Sequence, residues 1–188
     1  MMEFDPQSLG LGEFLVSHRS SLTLATKLSI MGHVANSLRF LHYYKVIHMD
    51  LNPNNILINE INRPRLIDFG ESYYQPLGQK GHQSGYTLPS RPPEVFTERK
   101  FTSAQDMFSF GVVAFKAITG DLPFRATDSL IHVFRMKNQG KRWFLAPEKV
   151  MEYGRADVCA LLMLLVSKCL SIAPEARPLP VWTTIILR

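Results

Sequence analysis

The sequence predicts a mainly α domain with one small β-hairpin, an α+β arrangement in which helices dominate. Three observations carry this. Apolar residues recur at steps of three or four from Leu22 to His42, the pattern of one buried helical face. Short strand-like runs cluster between residues 45 and 67. From Ala104 onward the chain is a series of apolar stretches punctuated by Gly and Pro. The 188 residues are 46% hydrophobic and 20% charged, which makes one domain or two small ones with a core large enough to need no disulfide or metal.

In the first helix the apolar positions are Leu24, Leu28, Met31, Ala35, Leu38 and Leu41, with Ser20 or Ser21 as the expected cap. Lys45–Ile47, Ile56–Ile58 and Arg65–Ile67 read as strands. The last two flank the polar stretch Asn59–Pro64 and form the expected hairpin. Gly70–Pro93 has no periodicity, is rich in Gly and Pro, and reads as one long loop. Ala104–Ile118 is a helix stopped by Gly120 and Pro123, and Thr127–Met136 is a second. Ala156–Leu170 is nearly all apolar and is expected to be buried all round, and Pro180–Leu187 starts a last helix.

Composition excludes several classes. No basic region followed by an apolar core marks a signal peptide, and no apolar run is long enough for a membrane span. The net charge of +5 comes from scattered Lys and Arg, which does not argue for nucleic acid. The two cysteines, Cys159 and Cys169, exclude a disulfide scaffold and fit a reducing, cytoplasmic setting. On one helix they would stand about 15 Å apart, too far to bridge.

Three segments carry chemistry. His48-Met49-Asp50-Leu51-Asn52-Pro53-Asn54-Asn55 directly precedes a strand, Asp68-Phe69-Gly70 directly follows one, and Pro92-Pro93-Glu94 closes the long loop. A strand–loop–strand can aim Asp50, Asn55 and Asp68 at one point. One carboxylate then orients a hydroxyl while amide and carboxylate oxygens hold Mg²⁺. Phosphoryl transfer needs those parts. Gly10-Leu11-Gly12 invites a phosphate-loop reading, but no strand is expected before it and a third glycine is missing.

Together these segments resemble the protein kinase family, with a catalytic loop close to H-R-D-L-K-P-x-N, the D-F-G metal motif and a variant of A-P-E. Asp106 to Gly111 resembles the D-x-x-S-x-G of the central helix, Thr119 to Phe124 the T-G-x-x-P-F, and Pro174 to Pro178 the P-x-x-R-P. The resemblance covers essentially the whole chain. It implies a truncated kinase domain over residues 1–188: a hinge-like start at 1–5, the C-terminal lobe at 6–188 and the activation segment at 68–94. The N-lobe, with its Gly-rich loop, strand lysine and helix glutamate, is expected to be absent.

The resemblance also implies roles. Asp50 is the catalytic carboxylate, and Asn55 and Asp68 are the Mg²⁺ ligands. Leu57 lies under the adenine of ATP, and Glu3 belongs to the hinge that borders it. His48 and Phe69 join an apolar stack across the site. Asp106 holds the catalytic-loop backbone, and Glu94 pairs with Arg177 in the interior. Two positions depart from the pattern. Met49 replaces the arginine that binds a phosphorylated activation loop. Asn52 replaces the catalytic lysine, and a neutral amide does not match an ammonium against γ-phosphate charge. Thr87 leans the specificity toward Ser/Thr. The implied activity is ATP- and Mg²⁺-dependent phosphorylation of protein Ser/Thr hydroxyls, with a protein substrate or regulator as partner and an N-lobe in trans as one possibility. The chain alone is expected to be inactive. The alternative reading is a pseudokinase-like binding lobe.

Overall fold

The computed structural model describes residues 8–80, 90–96, 101–123 and 156–187. The hinge-like start with Glu3, Thr87 and the helix expected at Thr127–Met136 lie outside them. Strand β1 (Leu9–Gly10) leads into helix α1 (Leu11–Ser17), and the long helix α2 (Leu24–Tyr43) follows. Thr23, rather than Ser20 or Ser21, caps α2, its hydroxyl accepting from Thr26 N at 3.1 Å. The buried face of α2 is Lys27, Ile30, Met31, Val34, Ala35 and Leu38. Leu24, Leu28 and Leu41 of the expected stripe are only partly buried, because α2 packs against two helices and its buried stripe is rotated toward Ile30 and Val34.

The expected hairpin is present. Strand β3 (Ile56–Ile58) pairs antiparallel with β4 (Pro64–Leu66), Leu57 opposite Arg65, and β2 (Val46–Ile47) precedes them. Asn62 makes the turn possible by taking φ 58°, a left-handed conformation that Asn tolerates better than most residues. Two features depart from the sequence reading. Strand β1 joins β3, so the hairpin becomes a three-stranded sheet and a strand does stand before Gly12, although Gly12 itself lies inside α1. Gly70–Pro93 is not one uninterrupted loop. It contributes β5 (Tyr73–Tyr74) and β6 (Gln79–Lys80), and β5 pairs with β2. These two-residue strands carry no readable period and no β-branched residue, so their pairing reveals them.

Helix α3 (Ala104–Thr119) is the centre of the molecule. Its residues from Gln105 to Phe115 are all buried, as are Ala117 and Ile118. Gly120 ends it with φ 79°, donating its N–H to Lys116 O at 2.8 Å. The buried Lys27 ammonium reaches Ile118 O at 3.4 Å, a cation at the negative end of the helix. Helix α4 (Ala156–Cys169) is not buried all round as expected. Leu162, Leu165, Val166 and Cys169 face the core, while Leu161 and Leu164 are exposed. Composition reads apolar content but not which helix is enclosed by others. Burial pushes the Cys169 thiol up to about 12, against a smaller lowering by Arg177, so it is an inert core group. Helix α5 (Pro180–Ile186) lies on α2.

Arg177 ties these layers together. Its guanidinium pairs in a fork with Glu94, Nη1 to Oε1 at 2.5 Å and Nη2 to Oε2 at 2.8 Å. It also donates to Ser171 O, Ala104 O and Ile172 O, and lies over the Phe108 ring. All five N–H groups are used. Two stability predictions follow from this packing. Arg177→Ala should cost about 3–5 kcal/mol in denaturant melts, because Glu94 stays buried without its bidentate guanidinium. A loss under 1 kcal/mol would show the pair to be idle. At Gly111 an added Cβ would stand 2.7 Å from Cys169 Cβ and 3.0 Å from Leu170 Cγ. Gly111→Ala should therefore destabilise by about 1–3 kcal/mol by pushing α4 off α3, and a melt equal to the parent's would contradict that contact.

Candidate active site

The site is built on the open end of the β3–β4 hairpin. Ile67 N donates to Asn55 O at 3.0 Å, which fixes the residue before Asp68 beside the end of the preceding loop. That loop, residues 48–55, is organised by side-chain bonds. Asn52 Oδ1 accepts from Asn54 N at 2.9 Å and Asn55 N at 3.3 Å, while its Nδ2 donates to Asp50 O at 3.1 Å. Asn52 thereby caps the 3-10 turn Pro53–Asn55, with Pro53 at its first position. Asn55 Nδ2 reaches back to Asp50 O at 2.8 Å and Asp50 Oδ2 at 2.9 Å.

The loop is anchored from below by Asp106. This carboxylate has no solvent exposure. It accepts from His48 N and Met49 N, each at 2.9 Å, and meets His42 Nε2 at 2.7 Å. Three donors offset the cost of burying the charge. Met49 sits at φ 71° and Asp68 at φ 61°, left-handed conformations rare outside glycine. Asp50 N donates to His48 Nδ1 at 3.4 Å, which makes that nitrogen the acceptor. Nε2 then carries the proton and donates to Ile67 O at 3.1 Å. His48 thus links the Asp50 loop to the strand end that bears Asp68. Its ring lies 4.9 Å from that of Phe69, the expected stack, although Phe69 is partly exposed.

Several oxygens remain open. Asp50 Oδ1 is buried with no hydrogen-bond partner. Asn55 spends its amide nitrogen on Asp50, and no described group donates to its oxygen. Asp68 is exposed, and only its Oδ1 is engaged, by Gly70 N at 3.2 Å. No group of three His, Cys, Asp or Glu among the described residues could hold a metal alone. An amide oxygen and one or two carboxylates suit Mg²⁺, which shares its shell with water and substrate phosphates. Leu57 lines a cavity of about 140 Å³ with Ser8, Asn59, Arg63, Pro64 and Arg65.

The sequence is similar to those of known proteins. The family model described as Protein kinase domain matches residues 2–183. The chain belongs to the protein kinase family. Serine/threonine/tyrosine-protein kinase HT1 of Arabidopsis thaliana is 28% identical over 158 residues, 84% of this chain and 38% of that protein. The phosphorylase b kinase gamma catalytic chain, liver/testis isoform, of Mus musculus is 30% identical over 79% of this chain and 36% of its own length. Serine/threonine-protein kinase fused of Drosophila melanogaster is 31% identical over 61% of this chain and 14% of its own. The chain thus spans well under half of each relative. No helix among its described residues is long and apolar enough to cross a membrane.

Some parts of this candidate site escape sequence reasoning. His42 sits at the end of α2 with no motif to mark it. Glu71, next to Asp68-Phe69-Gly70, faces Arg91 at 3.9 Å, both buried, and nineteen intervening residues hide the pairing. Ser109 Oγ donates to Ser90 O at 2.8 Å and holds the far end of the same segment. The capping role of Asn52 was missed, although the Asn-Pro pair is a signal of turn initiation that could have found it. Asp106→Asn should cost about 1.5–3 kcal/mol by removing a charged acceptor from two amides. Faster hydrogen exchange at His48 and Met49 is the measurement, and unchanged protection there would exclude Asp106 as the anchor.

Proposed function

We propose that this chain carries the catalytic loop and metal loop of a protein kinase that transfers phosphate from ATP to Ser or Thr hydroxyls of proteins. The observation that carries the reading is Asp50. One of its oxygens is fixed by Asn55 Nδ2, and the other is buried and unpartnered. A substrate hydroxyl placed at Oδ1 supplies the missing donor, and that contact orients the hydroxyl and draws off its proton as the phosphorus–oxygen bond forms. Asn55 and Asp68 would hold Mg²⁺ through the oxygens left open. The ion supplies charge neutralisation for the transferring phosphoryl group. Leu57 offers an apolar surface to adenine, with Glu3 assigned to the hinge edge. A cytoplasmic setting rests on the sparse cysteines alone.

The residue at the catalytic-lysine position favours the second reading. Asn52 is 3% exposed, and its amide is spent on the loop. It shapes the loop and brings no charge to a phosphate. This supports a slow enzyme or a lobe that binds a protein regulator, with or without a phosphate-covering lobe supplied in trans.

Transfer of labelled phosphate from Mg²⁺-ATP to a mixed Ser/Thr protein substrate decides between them. With a phosphate-covering lobe supplied in trans, the enzyme reading expects measurable transfer, and Asp50→Asn should lower kcat by about 10²–10⁴-fold, with nucleotide binding retained. Equal rates for parent and variant would sink the role of Asp50. No transfer by the parent, with partner binding retained, would favour the binding lobe.

A further inference from the structure

Glu71 and Arg91 stand at the two ends of the long stretch between Gly70 and Pro92, with nineteen residues between them. They are 5% and 4% exposed, and Arg91 Nη2 lies 3.9 Å from Glu71 Oε2. At that distance the contact is charge on charge rather than a hydrogen bond. Buried charges offset their lost hydration only while they keep polar partners, so neither end can swing away from the other without cost.

Each end has its own anchor. On the Glu71 side, Ser72 Oγ donates to His48 O at 3.3 Å, Ser72 N donates to Phe69 O at 3.0 Å, and β5 pairs with β2. On the Arg91 side, Ser90 O accepts from Ser109 Oγ at 2.8 Å, and Val95 N donates to Pro92 O at 3.3 Å. Ser109 stands one turn along α3 from Asp106, which holds His48 N and Met49 N. The contacts form a closed circuit. It runs from α3 through Asp106 to the Asp50 loop, on to Ser72, across Glu71 and Arg91, and from Ser90 back to α3 through Ser109. The charge pair is the step in this circuit that side chains make alone, so a substitution opens it there without removing a backbone group. Residues 48–55 contain no Lys or Arg, and Met49 is a buried apolar side chain, so the Asp50 loop offers this segment no fixed cation of its own.

We propose that Glu71 and Arg91 form a clasp of positioning residues. It sets the Asp68 loop, three residues before Glu71, and the Glu94 turn, three residues after Arg91, in one register, without a phosphate on the chain between. The bearing of the clasp on phosphate transfer rests on the kinase reading above, whereas the clasp itself does not.

The test is amide hydrogen exchange of the full chain, confirmed as unphosphorylated by mass spectrometry. It is read at Ser72 and Val95, with Gly120, whose N–H bonds Lys116 O, as the remote reference. Glu71→Gln should speed exchange at both Ser72 and Val95 by about tenfold or more, and so should Arg91→Gln, since either change opens the circuit and leaves a buried charge unmatched. Gly120 should not change. The double variant should exchange no faster than either single one, because the two charges act as a unit. Where a single variant fails to fold, the double variant, which leaves neither charge behind, carries the comparison with the parent at the same three amides. Arg91→Lys keeps the charge and should stay close to the parent, since the contact is not a directed fork. Loosening confined to the substituted end, additive effects, or Lys behaving as Gln overturns the proposal. So does protection of the two amides that appears only after phosphorylation. Phosphate transfer with a covering lobe in trans is scored in parallel. Coupled exchange without transfer keeps the clasp and refutes the enzyme reading, and transfer with uncoupled exchange does the reverse.

Discussion

One buried carboxylate determines the shape of this site. Asp106 stands in the first turn of the central helix with no solvent exposure. It holds two consecutive backbone amides, those of His48 and Met49. Successive N–H groups aimed at one anion form a nest, and a nest requires the backbone to alternate hand. Met49 does so at φ 71°, a conformation that costs a non-glycine residue of order 1–3 kcal/mol. The charged hydrogen bonds offset that cost. The strain is useful because it reverses the chain between His48 and Asp50. Asp50 N then reaches His48 Nδ1, and the fixed imidazole reaches across to Ile67 O.

The loop beyond Asp50 is held by a separate device that is local and neutral. Asn52 bonds backward to Asp50 O and forward to the amides of Asn54 and Asn55, and Asn55 closes the ring on Asp50. Every bond lies within five residues. A local network of this kind needs few long-range contacts to form, so little chain entropy opposes it. The far-reaching constraints are carried instead by charges: Asp106 from α3, and Arg177 clasping Glu94 after the long loop. Both converge on the first turns of α3, since Arg177 also donates to Ala104 O. The loop that bears Asp50 and the segment that bears Glu94 are thus referenced to the same few residues of one helix.

What could be read from the sequence follows from this division. Long periodic elements such as α2 and α3 declared themselves, and so did the hairpin, because apolar spacing and turn residues are local signals. The pairs Asp106 with residues 48 and 49, and Glu94 with Arg177, were legible only through family resemblance, since partners tens of residues apart leave no periodic trace. The strands β1, β5 and β6 were missed because two residues show no period and, unlike Val46–Ile47 of β2, none of them is β-branched. The burial of α4 was misjudged because its composition matches that of α3, and only position in the layer separates them. Asn52 was read as a lost cation, whereas its bonds show a cap. Where a polar residue precedes proline, capping chemistry competes with any catalytic role that alignment assigns.

Geometry and charge are therefore separable at this site. An ammonium at position 52 could not accept the Asn54 and Asn55 amides, so a lysine there must leave the turn uncapped or capped by other means. With asparagine the loop has gained an internal brace and given up a positive charge beside Asp50. One ammonium near the loop is that of Lys116, which enters from α3 on the Gly12 side. Positive charge has not left the neighbourhood but stands at its rim. A cation at the rim acts on the arriving partner more than on the developing charge at phosphorus, because electrostatic stabilisation of a transition state depends on donors aimed at the reacting atoms.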